Sequence, residues 1–293
     1  RVGSDPEMTV PEVRLKDVIL EEGASDQISR LINAVRHLPS VLRRWKIGGV
    51  GGERGGVVGL LHGAPGTGKT LCAEAIAGEL NRPLLVARSS TILSKWVGES
   101  ERNLQSLFKE AKANGAVLFI DEAYTLISEG MDGDYGPEAV ATLLTFMENN
   151  RGRVALVIAG YPHEMNKLLR SNPGLRSRFD NTVIFDDYDD KELEEIFLEM
   201  IANNDYELSP EAFVAVSNYI KALPMPRPHS FANGREMRKL LNEIVKNQSE
   251  YVLKNFDLVT ATEEQLRFIP GESVPPALVW NSTEHENNER DWF

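Results

Sequence analysis

Gly63-Ala64-Pro65-Gly66-Thr67-Gly68-Lys69-Thr70 follows the spacing G-x-x-x-x-G-K-T. Glycines at these positions let successive backbone N–H groups curl around a small anion. The lysine can reach the outer oxygens of a polyphosphate, and the threonine hydroxyl can hold a Mg2+ ion. With Ala64, Pro65 and Thr67 completing the loop and Leu71 following it, residues 63–71 are the expected nucleotide-contacting run. A second constellation lies downstream, where the apolar run Ala116-Val117-Leu118-Phe119-Ile120 ends in Asp121-Glu122. Asp121 is placed to hold hydrated Mg2+ together with Thr70, and Glu122 to orient and polarise an attacking water. A glutamate beside the metal-binding aspartate favours ATP hydrolysis over nucleotide storage.

Strands and helices must alternate to bring these residues together. Val57 to Leu61 reads as a strand leading into the loop, and Leu71 to Leu80 as the helix leading out, with Leu71, Cys72, Ala75, Ile76 and Leu80 on its buried side. Further strands are expected at 83–87, 116–120, 154–159 and 182–185. Between them, helical spacing is kept by Leu104, Leu107, Phe108 and Ala111, and by Val140, Leu143, Leu144 and Met147. Upstream, Ile28, Leu31, Ile32, Val35 and Leu42 recur at the same spacing. The pattern predicts an α/β domain, a parallel sheet flanked by helices, over 8–187. From Asp189 only helical stripes remain: Leu193, Ile196, Phe197 and Met200, then Phe213, Val216 and Ile220, then Met237, Leu240, Leu241 and Ile244. They predict a small all-helical domain over 188–256. Residues 257–293 are polar and acidic and read as a docked or partly disordered tail. Residues 1–7 read as an expression scar and are left out of the fold expectation.

Composition narrows the classes. With 32 Lys and Arg against 44 Asp and Glu, the net charge of −12 argues against a nucleic-acid coat or a membrane-surface protein. A single cysteine, Cys72, excludes an internal disulfide and points to the cytoplasm or another reducing compartment. No run is apolar enough to span a membrane.

Taken together these motifs resemble those of the AAA+ ATPases over about residues 15–255. Asp134 to Ala139, Met147 to Arg151, Ile158 to Tyr161, Ser171 to Phe179 and Phe231 to Arg235 are similar to the red-type Rubisco activase and stage V sporulation protein K clade. The stretch Ser94 to Ser100 instead resembles the classical AAA unfoldases and severing enzymes. The resemblance implies an arginine finger at Arg178, with Arg176 as the second candidate, serving the site of a neighbouring copy. It implies a second sensor at Arg235. It also implies a pore loop at Lys95, Trp96, Val97 and Gly98, whose aromatic side chain would grip an extended polypeptide. The acidic stretch Glu129 to Asp134 is a weaker candidate for a second pore-facing ring. Many AAA+ proteins place an asparagine after the fourth strand as a first sensor; Ala159-Gly160-Tyr161-Pro162-His163 has none, leaving Tyr161 or His163 to substitute.

The function expected from all this is an ATP-dependent protein-remodelling motor, a homo-oligomeric ring of six copies, acting on a protein substrate. One alternative is a nucleotide-gated scaffold whose ATP state controls partner binding. A nucleic-acid motor fits less well, because the charge and the tryptophan loop both oppose it.

Overall fold

The computed structural model describes residues 7–45, 58–88, 92, 99–127, 136–149, 155–179, 181–257 and 260–277. Two compact units emerge, one from residues 1–63 and 68–185, the other from 186 onward together with 64–67.

The first unit is built on a six-stranded sheet: β1 (Glu7–Thr9), β2 (Val58–Gly63), β3 (Leu84–Ala87), β4 (Val117–Ile120), β5 (Ala155–Gly160) and β6 (Asn181–Phe185), in the spatial order β1-β3-β4-β5-β2-β6. Five strands run parallel, as the alternating pattern requires. The sixth, β1, was not expected. It pairs antiparallel with β3, Glu7 opposite Val86, and includes a residue that the sequence reading set aside. Three residues at a sheet edge leave too short a pattern to read.

Alternation along the strands divides the core between two faces. Leu60, Leu85, Leu118, Ile120, Leu156 and Ile158 face one way, against α3 (Glu99–Asn114), α4 (Gly136–Asn149) and α5 (Pro162–Ser171). Leu61, Leu84, Val117, Phe119, Val157 and Ala159 face the other, against α1 (Glu22–Trp45) and α2 (Lys69–Leu80). This two-sided burial explains why β4 reads as a continuous apolar run. Ile28, Leu31, Ile32 and Val35 of α1 are buried as their spacing predicts. Leu71 is not: it stands 39% exposed at the start of α2. That helix is apolar on nearly every side, so the sequence offers no polar face from which to tell the solvent side.

Residues 173–176 form a single turn, α6 (Pro173–Arg176), before β6. The second unit contains α7 (Asp190–Asn203), β7 (Glu207–Leu208), α8 (Pro210–Lys221), α9 (Gly234–Asn255), α10 (Glu263–Arg267) and β8 (Phe268–Ile269). It is therefore not helical throughout, since β7 and β8 pair in parallel. Its core holds Leu193, Phe197, Val216, Ile220, Phe231, Met237, Leu240 and Ile244. Phe213 was expected in the α8 stripe but is 39% exposed, and Ala212 takes the buried place one residue earlier. Residues 260–277 pack onto this unit: Gln248 Nε2 donates to Phe268 O at 2.7 Å, and Ser273 Oγ to Gln248 Oε1 at 2.9 Å.

Candidate functional site: a nucleotide-phosphate loop and its acids

The parallel sheet decides where the site lies. Leu60 of β2 is level with Ile158 of β5, which is level with Ile120 of β4. The phosphate loop, Asp121-Glu122 and Gly160-Tyr161 therefore leave the same carboxyl edge, where open α/β sheets bind their ligands.

Gly63, Gly68, Lys69 and Thr70 form the root of the loop. Gly68 stands at the N-cap of α2, where its φ of 84° is costly for any side chain but free for glycine. Gly68 has no side chain with which to cap this helix, and the first turn carries no acid. Its first N–H groups and the positive end of its dipole thus suit an anion. Lys69 Nζ donates to Gly63 O at 2.9 Å and lies 5.8 Å from the centre of the Tyr161 ring. Thr70 is exposed one residue further on.

Ala64, Pro65, Gly66 and Thr67 form the crown, and they cluster with the second unit. Thr67 Oγ1 donates to Ala64 O at 2.8 Å. Asn233 Nδ2 donates to Pro65 O at 3.2 Å and to Asp187 Oδ1 at 2.8 Å, while Asn233 Oδ1 accepts from Tyr188 N at 3.0 Å. The Tyr188 hydroxyl donates to Thr67 O at 3.0 Å, and Gly234 N to Gly66 O at 3.1 Å. Gly66 has φ 72°, and a Cβ there would come within 1.9 Å of Ala232 O. Sequence reasoning gave Tyr188, Asp187 and Asn233 no role. The only available signal was Asn233 within the Phe231–Arg235 motif, and nothing local tells that its amide serves a loop 168 residues earlier. Arg235 is exposed in the first turn of α9.

On the acid side, Asp121 N donates to Ala87 O at 3.0 Å, tying the end of β4 to β3. Asp121 is half-buried and its Oδ1 accepts the Glu122 N–H at 3.0 Å. Glu122 is exposed and has φ 51°, a left-handed conformation uncommon outside glycine, asparagine and aspartate. Strain of this kind at an acid beside a phosphate loop fits a side chain aimed for function. Burial, then the charge of Glu122, raises the Tyr124 hydroxyl pKa, so that it stays protonated.

Asn172 caps α6 by accepting from Gly174 N at 2.8 Å, and Leu175 of that turn is fully buried. The turn presents Arg176 and Arg178 differently. Arg178 Nη1 donates to Gly174 O at 2.7 Å, and Nη2 is paired with Glu148 of its own chain. Arg176 is exposed, on the rim of a 340 Å³ cavity shared with Arg170, His62, Asn166 and Phe179. His163 is turned to solvent and pairs with Glu164 at 2.9 Å, which lowers the Glu164 pKa. Lys95, Trp96, Val97 and Gly98, and the acidic stretch 129–134, lie outside the described residues.

A glycine-led helix terminus with a lysine, on the same sheet edge as a strand that ends in two acids, is the arrangement expected of a nucleotide-binding α/β domain. Comparison with known proteins agrees. Residues 59–187 match the model of the ATPase family associated with various cellular activities (AAA), and residues 189–278 that of the AAA lid domain. The chain is 40% identical over 194 residues to protein CfxQ of Xanthobacter flavus, covering 64% of this chain and 60% of that protein. It is 36% identical over 218 residues to the chloroplastic ribulose bisphosphate carboxylase/oxygenase activase of Cyanidioschyzon merolae, covering 70% and 73%. Among solved structures, the FIGL-1 AAA domain superposes with a TM-score of 0.66 at 20% identity, covering 99% of this chain and 91% of that one, a likeness of fold. The chain belongs to the AAA ATPase family, whose name denotes ATP hydrolysis, and both relatives fall in the red-type clade that its motifs resemble. It spans about three fifths of the length of protein CfxQ. Among the described residues, no helix is long and apolar enough to cross a membrane.

Proposed function

We propose that this chain is an ATP-driven motor that remodels a protein substrate. The observation that carries the reading is the shared carboxyl edge: the uncapped α2 terminus with Lys69 on one side, Asp121 and the strained Glu122 on the other. Backbone N–H groups of 66–70 would bind the β- and γ-phosphates, and Lys69 would leave Gly63 O to neutralise them. Glu122 would accept the proton of the attacking water. Thr70 and Asp121 fit a Mg2+ ion: one is an exposed residue with a hydroxyl, and the other is a half-buried carboxylate whose Oδ1 accepts the Glu122 N–H. Among the described residues no group of three or more His, Cys, Asp or Glu side chains forms a metal site, so phosphate oxygens and water would complete the ion's shell. The ion would offset charge on the transferred phosphoryl group.

Arg178 serves the site of an adjoining copy in this reading, with Arg176 as the alternative, and Arg235 answers to nucleotide state. A ring, most simply of six copies, would present the 95–98 loops, Trp96 foremost, to a polypeptide. The names of the relatives make a Rubisco a substrate to try first. The decisive test is Glu122→Gln: ATP still binds, while turnover falls roughly 100-fold or more. Near-native turnover would remove Glu122 as the base.

One observation favours the gated scaffold as a second reading. Arg178 is engaged by Glu148 and Gly174 of its own chain. If it stays there, no finger crosses to a neighbour and turnover is slow. Turnover per chain that rises with protein concentration supports the motor; turnover independent of concentration supports the scaffold.

A further inference from the structure

The end of β5 sets an aromatic side chain against the loop lysine, a contact that the nucleotide chemistry above does not use. Gly160, the last residue of β5, is level with His62, the residue before the loop begins. Tyr161 therefore leaves the sheet beside Gly63, and its ring centre lies 5.8 Å from Lys69 Nζ. That is within the roughly 6 Å over which an ammonium is attracted to an aromatic face. Tyr161 is also well fixed. Its carbonyl accepts from Met165 N at 2.8 Å as the first bond of α5, and Pro162 sets the entry to that helix. Its ring lies against that of Tyr124, centres 5.8 Å apart and planes 34° apart. Tyr124 follows Asp121-Glu122 by two residues, so the aromatic pair spans from the acid side of the site to the lysine side.

Glycine at 160 makes room for this arrangement. A Cβ there would lie 2.8 Å from Tyr124 Cδ1 and 2.6 Å from Met165 Sδ. An asparagine at 160 would have to displace both. His163, the other residue considered in this stretch, is 78% exposed and bonded to Glu164.

We propose that Tyr161 is a positioning residue for ATP hydrolysis, its ring face steering the Lys69 ammonium along the phosphate edge of the sheet. The inference rests on the ATPase reading for its consequence and on the Lys69–Tyr161 geometry for its cause. Tyr161 acts through Lys69, so removing its ring affects the step in which Lys69 follows the outer phosphates more than it affects ADP binding.

The test compares the full chain with Tyr161→Phe and Tyr161→Leu. It measures kcat and KM for Mg-ATP, the Kd for ADP, and the NMR resonance of Lys69 after reductive 13C-methylation, assigned by its loss in Lys69→Arg. Phenylalanine keeps the ring face, so its kcat stays within about threefold of the parent. Leucine removes it, and kcat drops about tenfold with the ADP Kd within about threefold. The Lys69 resonance carries a ring-current shift in the parent and in Tyr161→Phe and loses it in Tyr161→Leu. Parent-like turnover in Tyr161→Leu overturns the proposal, as does a Tyr161→Phe defect as deep as that of Tyr161→Leu, which would assign the effect to the hydroxyl. A parent chain that does not hydrolyse ATP sinks the ATPase reading alone. In that case the resonance still decides whether Tyr161 positions Lys69, and an unchanged resonance in Tyr161→Leu refutes it.

Discussion

Helices α2 and α7 are of similar length and begin in opposite ways. Helix α7 opens on a closed capping box: the Asp189 side chain accepts from Glu192 N at 2.8 Å, and the Glu192 side chain accepts from Asp189 N at 2.9 Å. Acids at 190 and 192 further satisfy its positive end. Helix α2 opens on glycine, uncapped and without an acid in its first turn. A helix terminus satisfied by its own cap is structural, and one that opens on glycine in a phosphate-loop spacing suits an anionic ligand. The crown of that loop is held from elsewhere, through carbonyls that accept from Asn233 and Tyr188.

The contrast is broken most forcefully by giving α2 what α7 has. Thr70→Asp places an acid in the first turn of α2, which favours the helix itself by about 0.3–1 kcal/mol. It also repels phosphate and replaces the proposed Mg2+ ligand, so ATP affinity drops about 100-fold or more while thermal stability holds or rises. Calorimetric titration against a melting curve checks both halves; tight ATP binding by this variant would mean that the α2 terminus is not the anion site.

Asn233→Ala comes next. It leaves the buried Tyr188 N–H without its acceptor, drops the bond to Pro65 O, and puts alanine at φ 47°. An orphaned buried donor plus left-handed strain costs about 3 kcal/mol in urea unfolding. ATP affinity falls with it, since the crown loses its support; unchanged affinity would show that the crown holds its shape alone.

Asp189→Ala has a smaller effect of the opposite character. Losing the capping box costs about 1 kcal/mol of stability with ATP affinity unchanged. A matching loss of affinity would erase the division between structural and ligand-binding termini.

The smallest expected effect is a null rate. Cys72 sits one turn into α2, fully buried, and burial pushes its thiol up to about 12. At pH 8 roughly one molecule in ten thousand carries the thiolate, so an aromatic disulfide reagent labels it only on unfolding. The unfolded thiol ionises near pH 8.5 and the folded one near 12, so raising the pH through that window favours the unfolded chain. Rapid labelling of the folded protein at pH 8 would mean that α2 opens, and that its terminus is not a fixed set of donors.

Much of this was legible in order along the chain. Local rules sufficed wherever a residue's neighbours in sequence are its neighbours in space. The G-x-x-x-x-G-K-T spacing, the apolar β4 run ending in two acids, and the Ile28 to Val35 stripe are of that kind. They failed where periodicity is absent or too short. The apolar surroundings of Leu71 hid its exposure, the shift from Phe213 to Ala212 lies within the tolerance of a helical stripe, and β1, β7 and β8 have three residues or fewer.

The sequence by itself determined the chemistry on offer: a phosphate loop, a pair of acids at a strand end, and a parallel sheet to hold them, because glycine spacing and apolar runs are local physics. Only the tertiary structure decided what stands beside these groups. It supplied Asn233 and Tyr188 for the crown of the loop, gave Tyr161 to Lys69, bound Arg178 to Glu148, and left Arg176 exposed. Those pairings span up to 168 residues of chain, and no rule of propensity or period acts over that distance.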